Sequence, residues 1–186
     1  TGFPGYNSII AEDKATIGRI LLDNGYSTAW FGKDHNTPTF AASQAGPFDQ
    51  WPLGMGFEYF YGFVGGDANQ WQPNLFRNTT QIYPFLGKPA GEWNLITAMA
   101  DDAIDWMTRI HQTDPSKPIF IKYAPGATHA PHHPTKEWVD KIHAMHLFDD
   151  GYEKLRERIF ENQKKLGVVP ADAQLTPWPK DVLPPW

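Results

Sequence analysis

The chain has 186 residues, 41% hydrophobic and 20% charged, with eight Trp, seven Tyr and twelve Phe; this is enough apolar material to bury one core and excludes a disordered polyelectrolyte. A formal net charge of -5, with Lys and Arg scattered along the chain, leaves no basic footprint for nucleic acid, and no apolar run reaches the length of a membrane span, so neither nucleic acid nor membrane is expected as a partner. The absence of Cys excludes disulfides and thiolate metal sites and leaves the compartment, periplasm or cytoplasm, open.

Gly2, Pro4, Gly5 and Asn7 make the first segment a loop. Ile17, Ile20 and Leu21 then recur at helical spacing, and Asn24-Gly25 ends a short amphipathic helix. Ser27 to Phe31 reads as a buried strand that Gly32 stops. From Asn36 to Pro89 the pattern dissolves into Gly, Pro and aromatic residues, with strand-like runs only at Glu58 to Val64 and Asn74 to Tyr83; an excursion of this length inside a domain is usually functional.

The cleanest helix follows. Ile96, Met99, Ala100, Ala103, Ile104, Met107 and Ile110 form one stripe, while Asp101, Asp102, Asp105 and Arg109 face away. A turn over Asp114 to Pro118 leads into Ile119 to Tyr123, a second core strand bounded by prolines. A short helix is expected over Lys136 to Met145, and Tyr152, Leu155, Ile159 and Leu166 predict a longer one ending at Gly167. Asp149 and Asp150 are expected to face the positive end of that helix. The tail from Val168 to Trp186 has no period. Alternating helix and strand predicts an α/β architecture, a mixed sheet with helices packed on it, and two core strands are fewer than a free-standing sheet needs, so the chain reads as one segment, 1–186, of a larger sheet domain.

Two stretches carry chemistry, each at the exit of a predicted core strand, where open α/β sheets hold ligands. In Gly32-Lys33-Asp34-His35-Asn36, Lys33 and His35 share a side if the chain stays extended, and a cation beside an imidazole suits an oxyanion. The alternative is a solvated Lys and a surface His. In Thr128-His129-Ala130-Pro131-His132-His133-Pro134, three histidines crowd between prolines. A metal site is one reading, disfavoured because the prolines forbid a helix and no acidic residue or Cys lies near. Another is that one His donates a proton or holds an anion while the others are polar loop residues. Gly65-Gly66-Asp67 with Gln70-Trp71 is equally a substrate wall or a tight turn.

The strand leading to Gly32-Lys33-x-His35, paired with Pro118-Ile119-Phe120-Ile121-Lys122-Tyr123 leading to Thr128-His129-x-Pro131, resembles the sulfatase family of the alkaline-phosphatase-like superfamily. Gly46-Pro47-Phe48-Asp49-Gln50-Trp51-Pro52, Gly56 to Phe63, Ala124 to His133 and Gly167 to Asp172 are similar to bacterial arylsulfatases. The resemblance implies a partial alkaline-phosphatase-like sandwich, with Lys33 and His129 as substrate-binding and catalytic residues on a sulfate ester or inorganic sulfate. It also implies that His35 assists breakdown of the sulfated nucleophile and that His129 assists departure of the alcohol or phenol.

The residue between Lys33 and His35 is often Trp in that family. Here it is Asp34, expected either to raise the basicity of His35 or to face solvent. The family uses a formylglycine nucleophile, made from Cys or Ser in a Cys/Ser-x-Pro/Ala-x-Arg segment, and a calcium ion. Neither has a match here, and neither cofactor is expected in this chain, which thus reads as an internal fragment. The nucleophile segment is expected upstream of Thr1, and the later metal pair and second lysine beyond Trp186. Two alternatives stand beside the sulfatase reading: a non-catalytic module that associates with itself through exposed sheet edges, and an unrelated metal-dependent hydrolase using Asp34 and His35.

Overall fold

The computed structural model of the chain describes residues 9–179, 181–184 and 186, so the loop expected over Gly2 to Asn7 lies outside the described residues. Two units divide the chain, Thr1–His133 and Pro134–Trp186.

In the first unit, β1 (Ser27–Asp34) is buried along both faces, as its continuous apolar run requires. It runs three residues beyond the expected end. Gly32 does not stop it: at φ +100 this residue adopts a backbone that only glycine takes without strain, and a Cβ there would collide with the Ala124 carbonyl of the adjoining strand. β1 pairs in parallel with β2 (Tyr59–Val64) on one side and β5 (Ile119–Ala124) on the other. β3 (Leu75–Arg77) and β4 (Thr80–Ile82) continue the sheet as an antiparallel hairpin, giving the order β4-β3-β2-β1-β5. The single run expected over Asn74 to Tyr83 is therefore two strands. Asn78 turns the chain at φ 55, and its Oδ1 accepts a hydrogen bond from the Phe60 amide at 3.1 Å.

One face of the sheet packs Ala29, Phe31, Tyr61, Phe63 and Leu75 against α2 (Leu95–Thr113). Asn94 caps that helix by accepting from the Ile96 amide at 3.0 Å. The buried stripe of α2 is Leu95, Met99, Ala103 and Trp106, rotated from the expected one, and Ile104 is exposed. Asp102 does not face away. It accepts from Tyr59 and from Arg77, while the Arg77 Nε donates to Tyr59 Oη at 3.0 Å. Burial, followed by the Asp102 carboxylate, pushes the Tyr59 phenol up to about 12.

The opposite face packs Trp30, Phe60 and Phe76 against Trp51, Met55 and Phe57. The Gly- and aromatic-rich excursion is thus the second wall of the core. Trp51, fully buried, satisfies its indole N–H on the Ala41 carbonyl at 2.7 Å. α1 (Ile17–Asp23) turns Gly18 onto Phe57, where a side chain would clash with the ring, and leaves Ile17 and Ile20 exposed. Its apolar stripe is therefore not its buried face.

β5 also departs from expectation. It is the outermost strand of the sheet, with Ile119 and Tyr123 exposed and the residues between them half-buried, rather than a strand enclosed by the core. The result is an α/β fold, a mixed five-stranded sheet with helices packed on it.

In the second unit, α3 (Lys136–His143) and α4 (Gly151–Lys165) form where helices were expected, and Gly167 follows α4 at φ +70. Ile159 and Leu166 are exposed rather than packed. Asp150 stands at the N-cap of α4, as expected of an acid at that end, but makes no side-chain cap hydrogen bond; Asp149 pairs with His146 at 2.7 Å, and Asp150 with Arg158. Tyr152 stacks on Trp178 with ring centroids 5.0 Å apart and meets Trp186 edge-on. No described helix is long and apolar enough to cross a membrane.

Candidate functional site

Because β1 and β5 are parallel neighbours, their carboxyl ends open at the same edge of the sheet, with Gly32 in register with Ala124. Lys33 and His35 leave β1 there, and His129 stands on the loop that leaves β5. The three sequence-predicted site residues are therefore carried to one edge of the sheet by two adjacent strands.

Lys33 is half-buried opposite Phe63 of β2. Its ammonium has no hydrogen bond or ion pair among the described residues, and a half-buried cation without a partner is suited to an incoming anion. His35 is exposed. Its ring lies over Gly66, where a Cβ would come 3.0 Å from Cε1, so the Gly65-Gly66 bend leaves room for the imidazole.

Asp34 meets neither expectation. It is fully buried, its Oδ1 accepting from the Asn36 amide at 2.9 Å and its Oδ2 from the Thr37 hydroxyl at 2.6 Å, with no hydrogen bond to His35 among the described residues. Burial raises its pKa against the opposing pull of these hydrogen bonds. Thr37 Oγ1 also lies 3.0 Å from the Gln50 carbonyl, and one hydroxyl proton cannot serve both acceptors. Lys122 of β5 lies on the same face, its Nζ 3.2 Å from the centre of the Trp30 ring. Burial lowers its pKa, and Asp34 partly offsets that.

The structure separates the three histidines by their partners. His129 is exposed; its Nδ1 lies 2.7 Å from the Ala130 carbonyl, an acceptor to which an Nδ1–H donates, and its Nε2 has no hydrogen bond among the described residues. The His129 amide closes a turn on Gly126 O at 2.9 Å. His133 is half-buried and tethered twice: its Nδ1 accepts from the Gln70 amide at 3.3 Å, and its carbonyl accepts from Asn94 Nδ2 at 3.5 Å. His132 is exposed, with no hydrogen bond among the described residues. Among the described residues no three His, Cys, Asp or Glu side chains are grouped to hold a metal ion. The residues at this edge do not fit calcium either, since Asp34, the carboxylate adjacent to Lys33 and His35, spends both oxygens inside the protein.

Sequence reasoning missed Asn94, and noted Gln70 without its contact to His133; both hold the His129–His133 loop from the β2–α2 connection. Gln70 is buried beside Gly126; its Nε2 donates to Ala68 O at 2.9 Å, and its Oε1 has no partner among the described residues. For Asn94 a signal existed, an Asn directly before an apolar helix, but it marks the cap and not the second contact.

Residues 1–157 match the Sulfatase family. An uncharacterized sulfatase of Schizosaccharomyces pombe is 24% identical over 184 residues, covering 91% of this chain and 30% of that protein. Among solved structures, Ps i-CgsB in complex with k-i-k-neocarrahexaose superposes with a TM-score of 0.58 at 21% identity, over 74% of this chain and 32% of that one. Ps i-CgsB alone gives 0.50, over 70% and 29%. The chain spans about a third of the length of these proteins, and at such identity the structural likeness is one of fold. With the family matched over residues 1–157, the chain belongs to the Sulfatase family.

Proposed function

We propose that this chain forms the sulfate-binding and leaving-group side of an arylsulfatase-type hydrolase of sulfate esters. The observation that carries the reading is that adjacent parallel strands lead to Lys33, a half-buried ammonium with no partner among the described residues, and to His129, whose Nδ1 is engaged and whose Nε2 has no partner among those residues. A sulfuryl group carries its charge on peripheral oxygens, so Lys33 stabilises it electrostatically. Protonated at Nε2, His129 donates to the departing alcohol or phenol oxygen as general acid. His35, free on its Gly66 platform, assists breakdown of the sulfated nucleophile.

On this reading the nucleophile is not among these residues: the chain has no Cys and no Ser followed at the required spacing by Pro or Ala and then Arg. The family's formylglycine and calcium are left to residues other than those described, and no step is routed through them. The chain by itself then binds sulfate without turning over an ester.

Calorimetry with inorganic sulfate, beside nitrophenyl sulfate hydrolysis with excess calcium, tests both halves. Sulfate binding weakened about tenfold in Lys33→Ala, the size of one charge-assisted hydrogen bond, is expected, with no turnover in either protein. Equal binding by both proteins would sink the sulfate role of Lys33, and turnover that Lys33→Ala abolishes would show that a nucleophile is present. A second reading, self-association, is favoured by β5, which is paired on one side only among the described residues. A concentration-independent monomer in sedimentation would remove it.

A further inference from the structure

The side chains of Lys33 and His35 make no hydrogen bond or ion pair among the described residues, so the directions in which they leave β1 are set by the backbone that carries them. That backbone is held at successive peptides. The Trp30 indole N–H donates to the Lys33 carbonyl at 3.0 Å. The Gly65 amide donates to the Asp34 carbonyl at 2.7 Å. Asp34 Oδ1 accepts from the Asn36 amide at 2.9 Å, which closes a turn around His35, and Asp34 Oδ2 accepts from the Thr37 hydroxyl at 2.6 Å.

The groups that do the holding are themselves packed. Trp30 is 2% exposed and meets Phe57 and Phe60 edge-on at 5.1 and 6.4 Å, while Lys122 of β5 sets its Nζ 3.2 Å from the centre of the indole. Thr37 is buried and lies 3.0 Å from the Gln50 carbonyl; Gln50 in turn exchanges side-chain hydrogen bonds with the amide and carbonyl of Ile10 at 2.9 and 3.3 Å. Side chains enclosed in this way keep one rotamer, so what they bind is fixed in place. A carboxyl group is costly to bury, and an apolar residue at position 34 would avoid that cost but could not accept from the Asn36 amide.

We propose that Asp34 and Trp30 are positioning residues for the anion site: Asp34 sets the turn that lays His35 over Gly66, and Trp30 fixes the peptide from which Lys33 projects. What Lys33 and His35 meet rests on the proposed sulfate chemistry; how they are aimed does not. As consecutive strand residues, Lys33 and Asp34 alternate between the two faces of the sheet, so the support and the anion-facing ammonium do not compete for the same space. The Lys122 contact to Trp30 brings β5, the strand that leads to His129, onto the same support.

Calorimetry with inorganic sulfate and NMR of the folded chain test the proposal together. Asp34→Ala and Trp30→Phe are each expected to weaken sulfate binding about fivefold, the size of one hydrogen bond, in protein that circular dichroism shows to be folded. Asp34→Asn keeps an oxygen for the Asn36 amide and is expected to bind as the parent does, a rescue that loss of packing alone would not produce. By NMR, the nuclear Overhauser contact between the His35 Cε1 proton and the Gly66 α-protons should be present in the parent and in Asp34→Asn and lost in Asp34→Ala. Unchanged sulfate affinity in both Asp34→Ala and Trp30→Phe overturns the inference; so does a His35–Gly66 contact that survives in Asp34→Ala, or one lost from Asp34→Asn. Trp30→Phe, which keeps a ring beside Lys122, decides the affinity arm should Asp34→Ala fail to fold. If the parent binds no sulfate, the sulfate chemistry falls and the His35–Gly66 contact alone decides the positioning role.

Discussion

β1 and β5 read alike in the sequence, each an apolar run ended by glycine or proline, and each delivers candidate site residues to the same edge of the sheet. Their surroundings differ completely. β1 has a strand on either side, α2 over one face and the Trp51–Phe57 segment over the other, and is buried through Gly32. β5 has one neighbour and remains half-exposed along its length. Lys33 and His35 therefore rest on a rigid support. His129 depends on a loop held by two side contacts, from Gln70 and Asn94. The general acid of the proposed chemistry thus has the less extensive support, and local opening is expected to begin there.

The largest effect that could break this comparison lies at Gly32, where the two strands touch. Gly32→Ala adds a side chain at φ +100 directly against the Ala124 carbonyl, and is expected to cost about 4 kcal/mol or more by combined strain and overpacking. Urea unfolding would measure it; a loss below about 1 kcal/mol would mean that β5 shifts freely past β1 and that the two halves of the site are not rigidly coupled.

A smaller change sharpens the contrast. Asn94→Ala removes both the cap of α2 and the contact to the His133 carbonyl, for a loss of about 1–2 kcal/mol. Asn94→Asp keeps the cap acceptor and removes only the donor to the loop. Hydrogen exchange of the His129–His133 amides should accelerate in both variants, while only Asn94→Ala lowers global stability appreciably. Unchanged exchange in Asn94→Asp would show that the loop is held by Gln70 alone.

The smallest expected effect has the opposite sign. Asp34 has a raised pKa because burial disfavours its charge, so folding is most favoured when it is protonated, and that advantage is lost as pH rises from its unfolded value through its folded one. At neutral pH any ionised fraction is a cost. Asp34→Asn keeps an acceptor for the Asn36 amide and offers Thr37 a donor, freeing Thr37 to bond the Gln50 carbonyl. The variant is expected to gain about 1 kcal/mol at pH 7, with the gain shrinking toward acidic pH. A variant destabilised equally at both pH values would place a charged Asp34 in the fold.

Much of this was legible in the residues. The periodic run from Ile96 to Ile110 placed α2, and the apolar runs placed β1, β2 and β5 and, at the exits of β1 and β5, Lys33, His35 and His129. Other features were hidden because they depend on which distant segments meet. Ile17 and Ile20 have helical spacing and still face out, because Gly18 is what fits against Phe57. Asp102 looked like a surface charge until Tyr59 and Arg77 were brought to it across the sheet.

By itself, then, the sequence determined where strands and helices form, which family the chain resembles and which side chains could meet an anion, since these follow from local periodicity, capping and short motifs. The tertiary structure alone decided the strand order, the burial of Asp34, the edge position of β5 and the different partners of His129 and His133. The physical reason is that periodicity marks which face of an element is apolar, whereas burial, pKa and hydrogen-bond partners depend on what the rest of the chain lays over that face.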